Sequence, residues 1–478
     1  METFSDSSVW GWMIIFAMLL GSLLAGNIVK KVVPFLRASL IPTSVIGGVI
    51  ILIVAAIYRA ITGVPMFDSA LFGGKGTASL EVITYHALAL GFIASALKTT
   101  GGKLNKKRSE EIFNTGVTTV STYLLQGIFG LTITIIASLI VSGFFAAAGV
   151  LLPFGYGQGT GQALNYGNIY EQPPNNFVGG RSFGLTIAAM GFISAAIGGV
   201  IHLNVMKKRG KLVISKRTDG SLHTDEIESD NEIPMQESID KMTVQIALIA
   251  VSYLIAYFIM YGVAQLLPSM SSLIFGFNFL IGVLVATLVK VSMNFMRGKG
   301  IIKKKYTNNF LLTRASNFFF DLMIVSGVAA IRLEILESYL GVIIILGIVG
   351  AVITYIYNRI VAKVLFKDYY EEQFLAMYGM LTGTASTGVI LLREVDGDFK
   401  TPASDNLVYQ NFPAIVFGLP LMFLATFAPK HPVICLIIFV LFFSAMNILL
   451  FRKQLLSFVR KKRKKENKTE KEENDNDR

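Results

Sequence analysis

The residues equipped to hold a ligand are gathered in two short stretches. From Leu151 to Asn168 the chain reads LLPFGYGQGTGQALNYGN, where Gly155, Gly157, Gly159 and Gly161 alternate among amides and hydroxyls. Glycine lets peptide groups approach a ligand without Cβ obstruction, while Gln158, Thr160, Gln162 and Asn165 add side-chain oxygens and N–H donors. From Phe374 to Arg393 it reads FLAMYGMLTGTASTGVILLR, in which Thr382, Thr384, Ser386 and Thr387 offer hydroxyls and Gly379, Gly383 and Gly388 free the backbone. Hydroxyl and carbonyl oxygens suit a hard, weakly held cation such as Na+, and a half-helix N-terminus suits a carboxylate. Plainer readings stand beside these: a surface loop for the first stretch, helix packing through small residues for the second.

Both stretches sit among long apolar runs. Of the 478 residues, 53% are hydrophobic and 15% charged, against about a quarter charged in a soluble domain. The composition predicts an all-α polytopic membrane protein. Runs able to cross about 30 Å of hydrocarbon fall near 9–28, 40–58, 81–97, 111–141 and 183–206, then 243–267, 272–293, 315–333, 339–362, 406–428 and 432–451. Irregular backbone at membrane depth survives only where protein buries it or a polar cavity receives it, so the Gly-rich run is no lipid-facing helix.

The net charge of +12 points to orientation rather than to nucleic acid, because the basic residues cluster between apolar runs. Lys30, Lys31 and Arg37, Lys98 to Arg108, Lys207 to Arg217, Arg297 to Arg314, and Lys363 with Lys367 share one side if the N-terminus is outside and the C-terminus cytoplasmic. That count requires the run 151–168 to enter and leave on the same side, as a re-entrant hairpin does. Cys435 is the one cysteine and the four histidines are scattered, so no disulfide, thiolate cluster or metal spacing is expected. Nor does any span hold the nucleophile and base of an enzyme.

The halves echo one another. SLIPTSVIGG at Ser39 answers SLIFGFNFLIG at Ser272, LALGFIASAL around Gly91 answers IVSGVAAIRL around Gly327, and GYGQGTGQA answers YGMLTGTASTG, all in the same order. An odd number of crossings separates the copies, which predicts two inverted-topology five-helix repeats, each with a re-entrant hairpin, plus one extra C-terminal transmembrane helix. The expected organisation is an N-terminal repeat 1–206 with its hairpin at 151–168, a cytoplasmic linker 207–242, an inverted repeat 243–428 with its hairpin at 372–393, the extra helix at 429–451 and a charged tail 452–478.

Among charged residues within spans, Asp321 is a candidate coupling-ion ligand, although it lies near enough to the inner end to reach the interface. Arg332 and His86 sit toward the ends of their spans, and Gln126 reads as interhelical glue. The candidate substrate-binding set is Gly157, Gln158, Gly159, Thr160, Gly161, Gln162, Asn165, Gly383, Thr384, Ser386 and Thr387, with Asp321 and Thr382 as candidate Na+ ligands.

Through SLIPTSVIGG, LGFIASALKTTGGK, GQGTGQA with FGLTIAAMGFISAAIGG, and the second hairpin, residues 10–428 resemble the sodium/glutamate symporter family. The resemblance implies Na+-coupled symport of an acidic amino acid or related small carboxylate by alternating access, with no cofactor beyond the coupling ion and a homodimer in the cell membrane. The second hairpin, MLTGTASTGVILLRE, is richer in hydroxyls and poorer in glycine than the family pattern. A cation/proton antiporter is the alternative, and it needs a carboxylate pair, or an Asp and Asn pair, at midplane.

Overall fold

The computed structural model describes residues 6–38, 41–98, 106–209, 232–235, 238–396 and 401–457. Most of the expected linker and tail therefore lies outside the described residues. Within them the protein is an all-α polytopic membrane protein: ten helices are long and apolar enough to cross a membrane.

In chain order the helices are α1 (Ser7–Val32), α2 (Thr43–Thr62), α3 (Gly76–Leu97), α4 (Lys106–Ile140), α5 (Leu151–Gln158), α6 (Thr160–Glu171) and α7 (Gly180–Lys208). After the linker come α8 (Lys241–Leu266), α9 (Asn278–Gly298), α10 (Asn309–Ala329), α11 (Leu340–Leu365), α12 (Tyr370–Thr382), α13 (Ala385–Arg393), α14 (Asn411–Phe427) and α15 (Pro432–Leu450). The stretch expected as an eleventh crossing, 406–428, is divided: Ala403–Tyr409 and α14 meet at Gln410, and the apolar part of α14, Pro413–Phe427, is shorter than the ten spans.

Burial separates scaffold from lipid-facing helices. The apolar windows of α3 and α10 are 61% and 56% buried, whereas those of α1, α8 and α15 are 22% buried and leave an apolar surface for lipid. The helix α4 is the longest, 35 residues or about 52 Å. It also turns an unusual run of polar side chains inward: Thr115, Thr118, Thr119, Ser121, Thr122 and Gln126 are all buried. Several threonines return their hydroxyl protons to the carbonyl four residues back, as Thr118 does to Asn114 O and Thr122 to Thr118 O.

Around α4 the two polar stretches form helix pairs. The first differs from the irregular run expected: it is helical on both sides of a single break at Gly159, whose φ of +81° and ψ of −172° fall where a residue with a Cβ is strained. The chain then folds back, because the rings of Phe154 on α5 and Tyr166 on α6 stack at 3.7 Å. The second pair breaks at Gly383 and Thr384, and α12 and α13 close on each other through Gly379 and Gly388, where an added Cβ on Gly379 would lie 2.8 Å from the Gly388 backbone. Arginines tie both pairs to neighbouring helices. Arg181 bonds Glu171 at the end of α6 and Glu81 on α3, and Glu371 at the start of α12 takes Arg359 of α11 and His202 of α7.

Candidate functional site

Depth along α4 shows where the two pairs meet. Descending from one end, Thr134 donates to Ala146 O at 2.6 Å, Gly130 packs on Gly149, and Tyr123 donates to Gly157 O at 3.0 Å. From the other end, Gln373 donates to Thr115 at 3.3 Å and Gln126 to Leu381 O at 2.9 Å. The breaks of both pairs thus arrive near Tyr123 and Gln126, about halfway along the helix. They touch there: an added Cβ on Gly159 would lie 3.1 Å from Cγ2 of Thr384 and 3.7 Å from Gly383 O.

Beside the meeting point is a cavity of about 150 Å³. Tyr123, Gly157, Gln158, Gln162, Thr384, Gln410 and Asn411 supply its polar edge, and Leu88, Phe92, Phe320, Met323 and Met422 much of its apolar wall. Among the described residues no Asp, Glu, Lys or Arg lines it. The helices α6 and α13 both begin at the breaks, so their first-turn amides, which have no intrahelical acceptor, and the positive ends of their dipoles come to the same place.

Gln162 is the most telling side chain. It is 1% exposed, and among the described residues its Nε2 has no partner. Its orientation follows from its neighbours: Asn165 Nδ2 donates to Gly276 O at 3.1 Å, which identifies it as the nitrogen, and reaches Gln162 Oε1 at 3.5 Å. The remaining atom at Gln162 is therefore an unmatched N–H donor on a residue that lines the cavity, where a carboxylate or carbonyl oxygen would satisfy it.

The expected residues divide. Gly157, Gln158, Gln162 and Thr384 line the cavity, and Thr387 stands behind Thr384, hydroxyl to hydroxyl at 3.4 Å. Gly159 forms the break itself. Thr160 turns toward α10, its hydroxyl donating to Met323 O at 3.3 Å while its Cβ packs on Gly327, and Gly161 makes room for Leu88. Gly383 lies against Thr387, and Asn165 bridges to Gly276. Thr382 spends its proton on Tyr378 O at 2.6 Å. Ser386 belongs to α13, and its side chain lies outside the described residues.

Asp321 is not brought to this cavity. Phe320 and Met323 of α10 line it, whereas helical spacing puts Asp321 on the face of Val325 and Val328 that meets Gly48 of α2. Arg332 has Glu81 as its neighbour at 3.8 Å, and His86 bonds Tyr253 of α8 at 2.7 Å rather than a group on its own helix. Polar lining residues absent from the expected set are Ser95, Tyr123 and the neighbouring pair Gln410 and Asn411. For that pair the signal was available, since two consecutive amides interrupt the apolar stretch 406–428. Gln410 accepts from Thr119 at 2.9 Å and donates to Asn411 at 3.0 Å.

A scan against protein-family models gives no match for the chain, and a search of curated proteins gives none either.

Proposed function

We propose that this chain is a secondary active transporter that carries a small carboxylate, glutamate or a related solute, into the cell together with Na+ by alternating access. The observation that carries the reading is the meeting, halfway along α4, of two broken helix pairs that approach from its opposite ends and share one cavity. Interrupted helices from two inverted repeats, joined near the membrane midplane, are a transporter plan. Repeats of 1–206 and 243–428 around opposed re-entrant hairpins, with the N-terminus outside and the C-terminus cytoplasmic, fit this meeting and the loop charges. The motif resemblance to the sodium/glutamate symporters points the same way and adds a homodimer.

Carboxylate recognition here rests on the first turns of α6 and α13 and on Gln162 Nε2. Among the described residues the lining offers no cationic side chain, so a bound anion is balanced by helix termini and by the accompanying cation. It offers no acid either, which disfavours proton-coupled antiport through a carboxylate pair. Purified protein in liposomes, given a panel of labelled carboxylates, is expected to accumulate one of them only under an inward Na+ gradient. Equal uptake with choline in place of Na+ overturns symport.

A further inference from the structure

Behind the meeting point, on the face of α4 turned to α11, lies a second polar group that the cavity does not use. Thr122 and Gln126 are one turn apart on α4, and Thr354 and Asn358 one turn apart on α11. They pair crosswise, Gln126 Nε2 donating to Thr354 Oγ1 at 2.8 Å and Asn358 Nδ2 to Thr122 Oγ1 at 3.3 Å. All four are at most 1% exposed. Each amide has a second bond to a main-chain carbonyl, Gln126 to Leu381 O at 2.9 Å and Asn358 to Thr354 O at 2.9 Å. A carbonyl can only accept, so these bonds identify the nitrogens and with them the oxygens.

Those oxygens are the anomaly. Among the described residues neither Gln126 Oε1 nor Asn358 Oδ1 has a partner, although both are fully buried. A buried amide oxygen left without a donor or a cation is costly, and native structures seldom leave two on facing helices. Nearby donors do not reach them: the Thr122 proton goes to Thr118 O, both amide nitrogens are used, and the Thr354 hydroxyl, which accepts from Gln126, makes a bond to neither oxygen. What remains is neutral oxygen. Such a set suits a monovalent cation, since divalent ions call for carboxylates. The C-terminal turn of α12, with Leu381 O held by Gln126, brings the negative end of a helix dipole to the same place.

We propose that Gln126 Oε1 and Asn358 Oδ1, with the hydroxyl oxygens of Thr122 and Thr354, hold a small monovalent cation, and that this is a site for the coupling Na+. The identity of the ion rests on the transport reading above; the site rests on the unpartnered oxygens. Its position gives the coupling. A cation here fixes the Gln126 amide, which holds Leu381 O just before the break at Gly383, and Thr384 beyond that break lines the substrate cavity.

The test reads binding without transport: thermal unfolding of the full-length protein in lipid nanodiscs, titrated with NaCl, LiCl or KCl against choline chloride at constant ionic strength. The wild type is expected to gain stability saturably with Na+ and not with choline. Asn358→Leu should need roughly tenfold more Na+ or lose the response, and Thr354→Val should shift the same way. Asn358→Asp, which keeps the shape and adds a negative charge, should need less Na+, and it serves as the reading if the leucine variant does not fold. No cation-specific gain in the wild type overturns the site and leaves a water to satisfy the two oxygens. An unchanged Na+ midpoint in the Asn358 variants overturns it as well. Na+-driven uptake alongside that second result would leave symport standing; saturable Na+ stabilisation without uptake of any carboxylate would do the reverse.

Discussion

A buried donor with no acceptor is an expensive thing for a helix to carry, and Gln162 Nε2 is one. If a substrate carboxylate completes it, Gln162→Leu should raise the substrate concentration for half-maximal uptake roughly ten- to hundredfold, the size of a hydrogen bond to a charged group of about 1.5–3 kcal/mol, with protein levels in the membrane unchanged. An unaltered half-saturation would remove Gln162 from the site. Thr384→Val should also depress transport, because Thr384 lines the cavity, whereas Thr160→Val should act through packing between α6 and α10. Residue types alone announced Gln158, Gln162 and Thr384, since polar groups within apolar runs are conspicuous. Which way a helix turns them is another matter. Thr160 and Asp321 carry suitable oxygens yet face neighbouring helices, and Gln126 was recognisable as a bridge between helices but not as one with an oxygen to spare.

The breaks depend on backbone freedom at one position more than any other. Gly159→Ala would place a Cβ on a backbone with φ of +81° and ψ of −172°, against Thr384 Cγ2. The strain is about 1–3 kcal/mol. Transport should fall with a lower midpoint of thermal unfolding, while Gly143→Ala, also at positive φ but with open space around it, should cost stability and spare transport. If the two variants behaved alike, the break would have no special role. The opposed approach can be read chemically. In a Cys435→Ala background, an impermeant thiol reagent should reach Asn165→Cys from outside and Thr384→Cys from inside, and substrate with Na+ should slow both. Labelling of both from one side, indifferent to ligand, would contradict opposed hairpins. The position of these elements was legible because glycine and amides cluster there. Their helicity was not: a composition that excludes a lipid-facing helix does not exclude two short buried ones, several of whose polar groups are met by α4, α7 and α11.

At the scale of the whole chain, hydropathy carries most of the architecture, because a membrane permits so few alternatives. Ten of the eleven expected crossings appear as long apolar helices, and the remaining stretch was harder to read because Gln410 and two prolines divide its pattern. Since α15 is long enough to cross and is followed by a basic cluster from Arg460 to Lys465, a tag placed after Arg478 should be shielded in intact cells and accessible once they are permeabilised. The uncharged lining of the cavity bears on a quantity outside geometry, the membrane potential. Among the described residues the cavity carries no fixed charge, and if the chain transports, its return to the starting state makes the charge moved in one full cycle that of solute plus ions. A solute of net charge −1 travelling with one Na+ should be indifferent to voltage. With two, each 100 mV of inside-negative potential should add about 2.3 kcal/mol of driving force. Clamping the potential of loaded liposomes with a potassium gradient and an ionophore, while holding the Na+ gradient constant, should therefore count the cations carried with each anion.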